Sequence, residues 1–287
     1  FMEVVDFNQD GKDDIMITNG DNADYSKTLK NYHGVHIFLN DGRNNFKEKY
    51  FYPVYGATKT IARDFDLDGD LDLAMIPSVE YFKSADNYRL VPNICIASRG
   101  QVRTVLLLAK KPISDITSIA ADIRSRTSVA LLKILFPFND NLSVHPFPPD
   151  PESMLAEHPA ALIIGDPAFQ LNKLSSDITV YDLSEEWFRQ TGKTFVHAVV
   201  AARKSICLSQ SQKDFIQQVK AEGCGRVKEV VQGYKGLSSV DSEVLEDYLE
   251  KKIRYDLDEA AKDGLDHFSS LCYQNRIILK KHSIEFF

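Results

Sequence analysis

Short apolar runs alternate with amphipathic stretches along the chain from about residue 73 onwards. The apolar runs are typical of short strands, at residues 73–76, 102–109, 118–121, 161–164, 178–181 and 196–202. Stretches with helical periodicity lie between and behind them, at residues 127–135, 185–191, 212–222, 225–233, 242–253 and 258–272. Alternation of strands and helices predicts an α/β fold with largely parallel sheets.

The first 72 residues show a different pattern, in which one acidic loop occurs twice. The loop that begins at Asp6 and contains Gly11 recurs at Asp64 with Gly69. Oxygen ligands at loop positions 1, 3, 5 and 9 and a glycine at position 6 suit a calcium ion. The predicted ligands are Asp6, Asn8, Asp10 and Asp14 in the first loop and Asp64, Asp66, Asp68 and Asp72 in the second. An acidic turn without metal is the alternative.

Position 12 of these loops holds Ile17 and Met75, which excludes an EF-hand, because that motif needs a glutamate there. Each loop precedes a strand-like run, and a further strand from residue 34 enters a tight Asp41-Gly42 turn. The segment resembles the FG-GAP (VCBS) repeat, a calcium-loop blade of β-propellers. A propeller takes at least four blades, so residues 1–72 are expected to form an all-β, propeller-blade-like fragment.

The larger part carries a series of motifs between about residues 70 and 275. They are Ile76-Pro77-Ser78-Val79-Glu80-Tyr81, Tyr88-Arg89-Leu90-Val91-Pro92, Cys95-Ile96-Ala97-Ser98-Arg99-Gly100, Ser125-Arg126-Thr127-Ser128, Ile164-Gly165-Asp166-Pro167-Ala168 and Tyr181-Asp182-Leu183-Ser184-Glu185-Glu186-Trp187. In this order the motifs resemble the MqnA/MqnD family of menaquinone biosynthesis, and within it the chorismate dehydratase branch.

The resemblance implies a two-lobed α/β domain of the type II periplasmic-binding-protein fold over residues 73–287, with an inserted lobe at about residues 110–195. It also implies that residues 102–109 and 196–202 are the strands that cross between the lobes. The family begins with a strand–helix–strand segment that supplies an active-site asparagine. The propeller-like segment stands in its place here, so the first lobe is expected to be incomplete.

Composition and charge exclude several classes of protein. The chain has 287 residues, 44% hydrophobic, which is typical of a soluble globular protein. Its net charge of −7 disfavours nucleic-acid binding, and no apolar run approaches the length of a membrane span. The four separated cysteines predict reduced, buried thiols. No leader precedes the motifs and the chain opens at Phe1, so a cytoplasmic protein, present here as a fragment, is expected.

Dehydration of chorismate to 3-enolpyruvylbenzoate is the activity that the resemblance implies. Removal of the ring hydrogen spreads negative charge into the ring carboxylate, so the reaction needs fixed hydrogen-bond donors and is expected to need no cofactor. Hydroxyls and free backbone N–H groups at a helix start suit that demand. The predicted substrate-binding residues are therefore Ser125, Arg126, Thr127 and Ser128. A simple helix cap, with Arg126 in a surface ion pair, is the alternative.

Three further positions are candidate site residues. Thr104 occupies the position of the family's catalytic serine and is the predicted catalytic residue; a structural threonine in a strand is the alternative. Gly165 and Asp166 end a predicted strand, where α/β folds place ligand-binding groups. Asp166 is alternatively a helix N-cap before Pro167. A non-catalytic module for small carboxylates and a calcium-binding interaction fragment are the other functions considered, and the oligomeric state is left open.

Overall fold

A computed structural model of the chain describes residues 2–5, 12, 14–19, 34–43, 45–52, 73–122, 125–136, 138, 142–171, 175, 177–234, 237 and 239–287. The chain divides into two compact units, Phe1–Ala74 and Met75–Phe287. Among the described residues, no helix is both long enough and apolar enough to cross a membrane.

The first unit contains a four-stranded antiparallel sheet. Its strands are neighbours in chain order: β1 (Met2–Val5), β2 (Asp14–Asn19), β3 (Gly34–Asn40) and β4 (Phe46–Tyr52). The predicted tight turn after β3 is confirmed. Gly42 has a φ of 85°, which favours glycine, and the Asp41 carboxylate accepts the backbone N–H of Arg43 at 2.8 Å.

Nearly all predicted calcium ligands lie outside the described residues: Asp6, Asn8, Asp10, Asp64, Asp66, Asp68 and Asp72. Of the eight predicted ligands, Asp14 is described in its backbone: it begins β2 and pairs with Val5 of β1. The calcium loops and the propeller-like character of the segment therefore stay predictions.

From Leu73 onwards, strands and helices alternate. In chain order the elements are β5 (Leu73–Pro77), α1 (Ser78–Lys83), β6 (Tyr88–Ser98), β7 (Val105–Ala109), β8 (Ser118–Asp122), α2 (Arg126–Leu135), β9 (Ser143–Phe147), α3 (Pro151–Glu157), β10 (Ala160–Ile164), α4 (Asp166–Phe169), β11 (Thr179–Asp182), α5 (Leu183–Thr191), β12 (Phe195–Arg203), α6 (Gln210–Gly225), α7 (Val227–Gly233), α8 (Ser242–Asp247), β13 (Ile253–Arg254) and α9 (Glu259–Gln274). A short 3-10 turn at Ile113–Asp115 and a π-helical segment at Tyr248–Lys252 complete them.

These strands form two sheets. One has the order β13-β6-β12-β5 and the other the order β11-β7-β10-β8-β9. In the second sheet β10 is parallel to β8 and β8 to β9, whereas β7 is antiparallel to both β10 and β11. The six predicted strands and the α/β class are confirmed, but the prediction of largely parallel sheets is wrong. β7 runs against both of its neighbours in the second sheet, and in the first sheet β6 is antiparallel to β12 and β13.

The strands predicted to cross between the lobes do not do so. β7 lies within the five-stranded sheet and β12 within the four-stranded sheet. The chain passes between the sheets through residues 99–104, which follow β6, and returns through α5 and residues 192–194. Residues 99–104 are called the first crossing, and α5 with residues 192–194 the second crossing.

One hydrophobic core serves both sheets. Leu107 and Leu162 of the five-stranded sheet and Leu90 and Val199 of the four-stranded sheet belong to the same buried cluster. All four cysteines are free; Cys95 and Cys272 are buried as predicted, whereas Cys207 and Cys224 are exposed and contradict that prediction.

Candidate functional site

The centre of the candidate site is a pair of hydroxyl groups at the first crossing. Thr104 directly precedes β7 and is buried, and its Oγ1 lies 3.0 Å from the hydroxyl of Tyr248, the first residue of the π-helical segment. Burial raises the pKa of Tyr248 above its ordinary value, so the phenol stays neutral at neutral pH. A neutral phenol paired with a threonine can donate a hydrogen bond to an anion.

Gly165 and Asp166 belong to the same cluster. The N–H of Gly165 donates to the backbone oxygen of Thr104 at 2.8 Å, and the ring of Phe169 packs edge-on against Tyr248 with centroids 5.1 Å apart. The hydroxyl of Tyr234 donates to the Asp166 carboxylate. Gly165, with a φ of 69°, is the N-cap of α4 and Asp166 is its first residue, so Asp166 as the N-cap is wrong.

The start of α2, which carries the predicted substrate-binding residues, contacts α1. Ser125 stands at the N-cap but makes no capping bond; its hydroxyl donates to the backbone oxygen of Asp122. Thr127 and Ser128 are buried, and Thr127 Oγ1 accepts the N–H of Val79, the second residue of α1, at 3.4 Å. The structure thus joins the hydroxyls of this segment to a second helix start.

Arg126 contacts a charged residue of α1. It forms an ion pair with Glu80 of α1 at 3.1 Å and is 54% exposed. The surface ion pair that was the alternative for Arg126 is therefore the arrangement present. The roles of Ser125, Thr127 and Ser128 in binding substrate stay predictions.

Asp182 holds the two crossings together and was not predicted as a site residue. One carboxylate oxygen accepts the N–H groups of Val102 and Arg103 at 3.0 and 2.6 Å. The other accepts those of Ser184 and Glu185 at the start of α5 at 3.0 and 3.1 Å. Burial raises the pKa of Asp182, and these four donors oppose that rise. The sequence contains a signal for its capping role: Asp182 stands just before Ser184 and two glutamates at the start of a predicted helix.

A buried polar chain joins β6, α5 and β12. The hydroxyl of Ser98 is hydrogen-bonded to that of Ser184 and lies 2.8 Å from Nε2 of His197. Burial lowers the pKa of His197 to about 4, so that this imidazole is neutral near pH 7. In the sequence, His197 is a lone histidine in an apolar strand, and that pattern does not predict this hydrogen-bonded network.

Within the described part of the chain, no group of three or more His, Cys, Asp or Glu side chains is placed to hold a metal ion. The hydroxyl cluster around Thr104 is a set of hydrogen-bond donors and acceptors. Such a set can orient a small polar molecule and stabilise negative charge that develops on it.

Comparison with solved structures gives the fold. Protein AF1704 from Archaeoglobus fulgidus superposes with a TM-score of 0.60 at 19% identity, covering 74% of this chain and 81% of that protein. The periplasmic aliphatic sulphonate-binding protein SsuA from Escherichia coli gives 0.51 at 16% identity, covering 75% and 79%. The likeness to SsuA confirms a periplasmic-binding-protein-like α/β fold. The incomplete first lobe stays a prediction.

Comparison of sequences gives the family. A chorismate dehydratase from Thermus thermophilus is 28% identical over 218 residues, which cover 71% of this chain and 80% of that enzyme. Residues 36–274 match the family described as menaquinone biosynthesis, so the match begins within β3 and ends with α9. Because the matched range spans most of its length, the chain belongs to the menaquinone biosynthesis family.

Proposed function

We propose that the chain is a hydro-lyase that converts chorismate to 3-enolpyruvylbenzoate and water. The observation that carries the proposal is the similarity to the Thermus thermophilus chorismate dehydratase, which extends over 80% of that enzyme. In the reaction, the C–H bond beside the ring hydroxyl breaks and its electrons form the new ring double bond. The hydrogen released as a proton and the ring hydroxyl leave together as one molecule of water.

The hydroxyl pair of Thr104 and Tyr248 supplies what this elimination demands. Electron density from the broken C–H bond spreads into the ring carboxylate, which accepts stronger hydrogen bonds as its charge grows. Thr104 is buried and joined to a neutral phenol at 3.0 Å, so it can donate to that carboxylate while the phenol donates to Thr104. The hydroxyls of Ser125, Thr127 and Ser128 are proposed to bind the second carboxylate of the substrate.

The test is chromatography of chorismate incubated with the purified chain, compared with a sample without protein. Product above that background is expected. Thr104→Val should lower kcat about 100-fold or more, because one buried donor to a developing oxyanion contributes on that order, and Thr104→Ser should retain most activity.

Thr194→Val is the matched control, because Thr194 is equally buried and its hydroxyl has no hydrogen-bond partner among the described residues. Its turnover should equal that of the unmodified chain. Full activity in Thr104→Val would remove Thr104 from the mechanism. A folded chain that binds 3-enolpyruvylbenzoate and makes none would be a non-catalytic carboxylate-binding module.

A further inference from the structure

A cavity of about 360 Å³ lies between α1, α2 and the turn that follows α9. Four of the side chains that line it are cationic: Lys83 of α1, Arg126 and Lys133 of α2, and Arg276 after α9. None of them takes part in the hydrogen bonds around Thr104 and Tyr248. The cavity is called the basic pocket below.

The spacing along α2 places charge and apolar surface on one face of that helix. Residues 126, 129, 130 and 133 follow one another at intervals of three, one and three, so they lie on the same side of an α-helix. Arg126 and Lys133 therefore flank Val129 and Ala130 along one wall of the basic pocket.

The positive charge of the pocket is only partly neutralised. Glu80 forms ion pairs with both Lys83 at 2.8 Å and Arg126 at 3.1 Å, so one carboxylate serves two cations. Lys133 and Arg276 form no ion pair with any residue that the structure describes. Since the whole chain carries −7, this concentration of cations is a local reversal of sign, and such a pocket attracts anions.

The backbone at Arg276 supports a role for its side chain. Arg276 has a φ of 56° directly after the C-cap Asn275 of α9. Glycine or asparagine is preferred where a helix ends in this left-handed conformation. An arginine is less favourable there, and this arginine lines the basic pocket.

We propose that the basic pocket binds a small organic acid that combines an apolar ring with at least two negatively charged groups. The partly exposed side chains of Val129 and Ile277 supply apolar surface for the ring, and the cations supply the contacts to its charged groups. Thr104 and Tyr248 do not line the basic pocket, and Arg126 is the one lining residue that the sequence also predicts to bind substrate. The inference therefore stands whether or not the chain dehydrates chorismate.

The probe is isophthalate, a benzene ring with two carboxylates, titrated into the full chain by calorimetry at fixed ionic strength. Benzoate and pyrophosphate are the comparison ligands, because the first lacks a second charge and the second lacks a ring. Isophthalate is expected to bind more tightly than either. Tighter binding of pyrophosphate, or equal binding of benzoate, would overturn the ligand class.

Variants locate the binding. Lys133→Gln and Arg276→Gln should each weaken isophthalate about threefold to tenfold, and the double variant Lys133→Glu with Arg276→Glu should abolish its binding. Lys228→Gln is the matched control, because Lys228 is also helical and exposed and should leave the affinity unchanged. Undiminished binding in the double variant, or loss of binding in Thr104→Val, would overturn the proposal.

Discussion

The contact between Thr104 and Tyr248 joins residues 144 positions apart in the chain. Thr104 is fixed by the crossing before β7, and Tyr248 by the π-helical segment that separates α8 from β13. Each hydroxyl alone is an ordinary side chain. Once paired, the two hydroxyls form a hydrogen-bond donor whose orientation is fixed, because one hydroxyl holds the other in place. The proposed elimination requires such a donor.

His197 should make the stability of the protein depend on pH. Its pKa is lowered by burial to about 4 from an ordinary 6.5. The unfolded chain therefore binds this proton at a higher pH than the folded one, and stability is complete above pH 6.5 and lost as the pH falls towards 4. At pH 5 the loss is about 2 kcal/mol.

The measurement is the free energy of urea unfolding at pH 7 and pH 5, for the unmodified chain and for His197→Gln. The variant keeps a polar partner for Ser98 but has no titrating group. Its loss of stability between the two pH values should be smaller by about 2 kcal/mol. Equal losses in the two proteins would show that His197 is not held neutral by burial.

For single site residues, the sequence predicts those that lie in motifs. It does not predict those whose role depends on a partner far away in the chain. Thr104, Gly165 and Asp166 were predicted from the motifs around them. Gly165 donates its N–H to Thr104, and Asp166, the next residue, accepts a hydrogen bond from Tyr234. Tyr248 lies in a helical stretch without local distinction. Only the fold brings its hydroxyl to the first crossing.

Among the elements, the two crossings depend on one carboxylate. Asp182 ends β11, caps α5 and also accepts the N–H groups of Val102 and Arg103. Arg103 has a φ of 69°, a left-handed conformation that costs free energy for a residue other than glycine. The hydrogen bond to Asp182 offsets part of that cost, and it fixes the backbone beside Thr104.

Replacement of Asp182 should therefore cost more than the loss of an ordinary helix cap. Asp182→Ala leaves four N–H groups, two buried and two partly buried, without their acceptor and should lower the free energy of unfolding by about 2–4 kcal/mol. Asp258→Ala is the control, because Asp258 caps α9 through a single hydrogen bond, to Ala261, and is half-exposed. It should cost about 1 kcal/mol. Similar costs in urea titrations would contradict the role of Asp182 at the crossing.

Strands and helices with a regular pattern were predicted within a few residues, and irregular ones were not. β6 was missed because Pro92 and Asn93 interrupt it. Leu90 and Cys95 of β6 pair with Ala201 and Val199, so the residues between them form a bulge in which Asn93 has a φ of 58°. The helix predicted over residues 242–253 is capped by Asp241, which accepts the N–H of Glu243, but it changes to the π-helical segment at Tyr248.

Calcium binding by the two acidic loops is a prediction from the sequence that calorimetry can check. Calcium titrated into the metal-free chain should give a saturable signal, and Asp10→Asn should weaken it, because hard cations prefer charged oxygen ligands. Glu152→Gln, an exposed change in α3, should leave the signal unchanged. The absence of any heat at millimolar calcium would refute both sites.

In the second unit as a whole, α9 connects the layers. It packs against β12 of the four-stranded sheet, against α1 and against α2, which follows a strand of the five-stranded sheet. Phe268 of α9 contacts Phe195, Trp187 and Phe82, with ring centroids 4.9, 5.9 and 5.8 Å apart. These rings come from four different elements, so the position of α9 is coupled to the second crossing and to the core.

Close approach of α9 to the second crossing depends on Gly264. A Cβ at this position would lie 1.9 Å from the backbone oxygen of Thr194, which is in the segment between α5 and β12. Backbone cannot move aside as a flexible side chain can. Gly264→Ala should therefore displace α9 and lower the free energy of unfolding by about 2–4 kcal/mol.

Gly223→Ala is the matched change within α6, because a Cβ there meets nothing within 4 Å. It should instead raise the free energy of unfolding by about 0.5–1 kcal/mol, the usual gain when alanine replaces glycine in a helix. Both values can be followed by the fluorescence of Trp187, the single tryptophan, which is fully buried and contacts Phe268. Stabilisation by both substitutions would mean that α9 does not rest against Thr194 and therefore does not fix the second crossing.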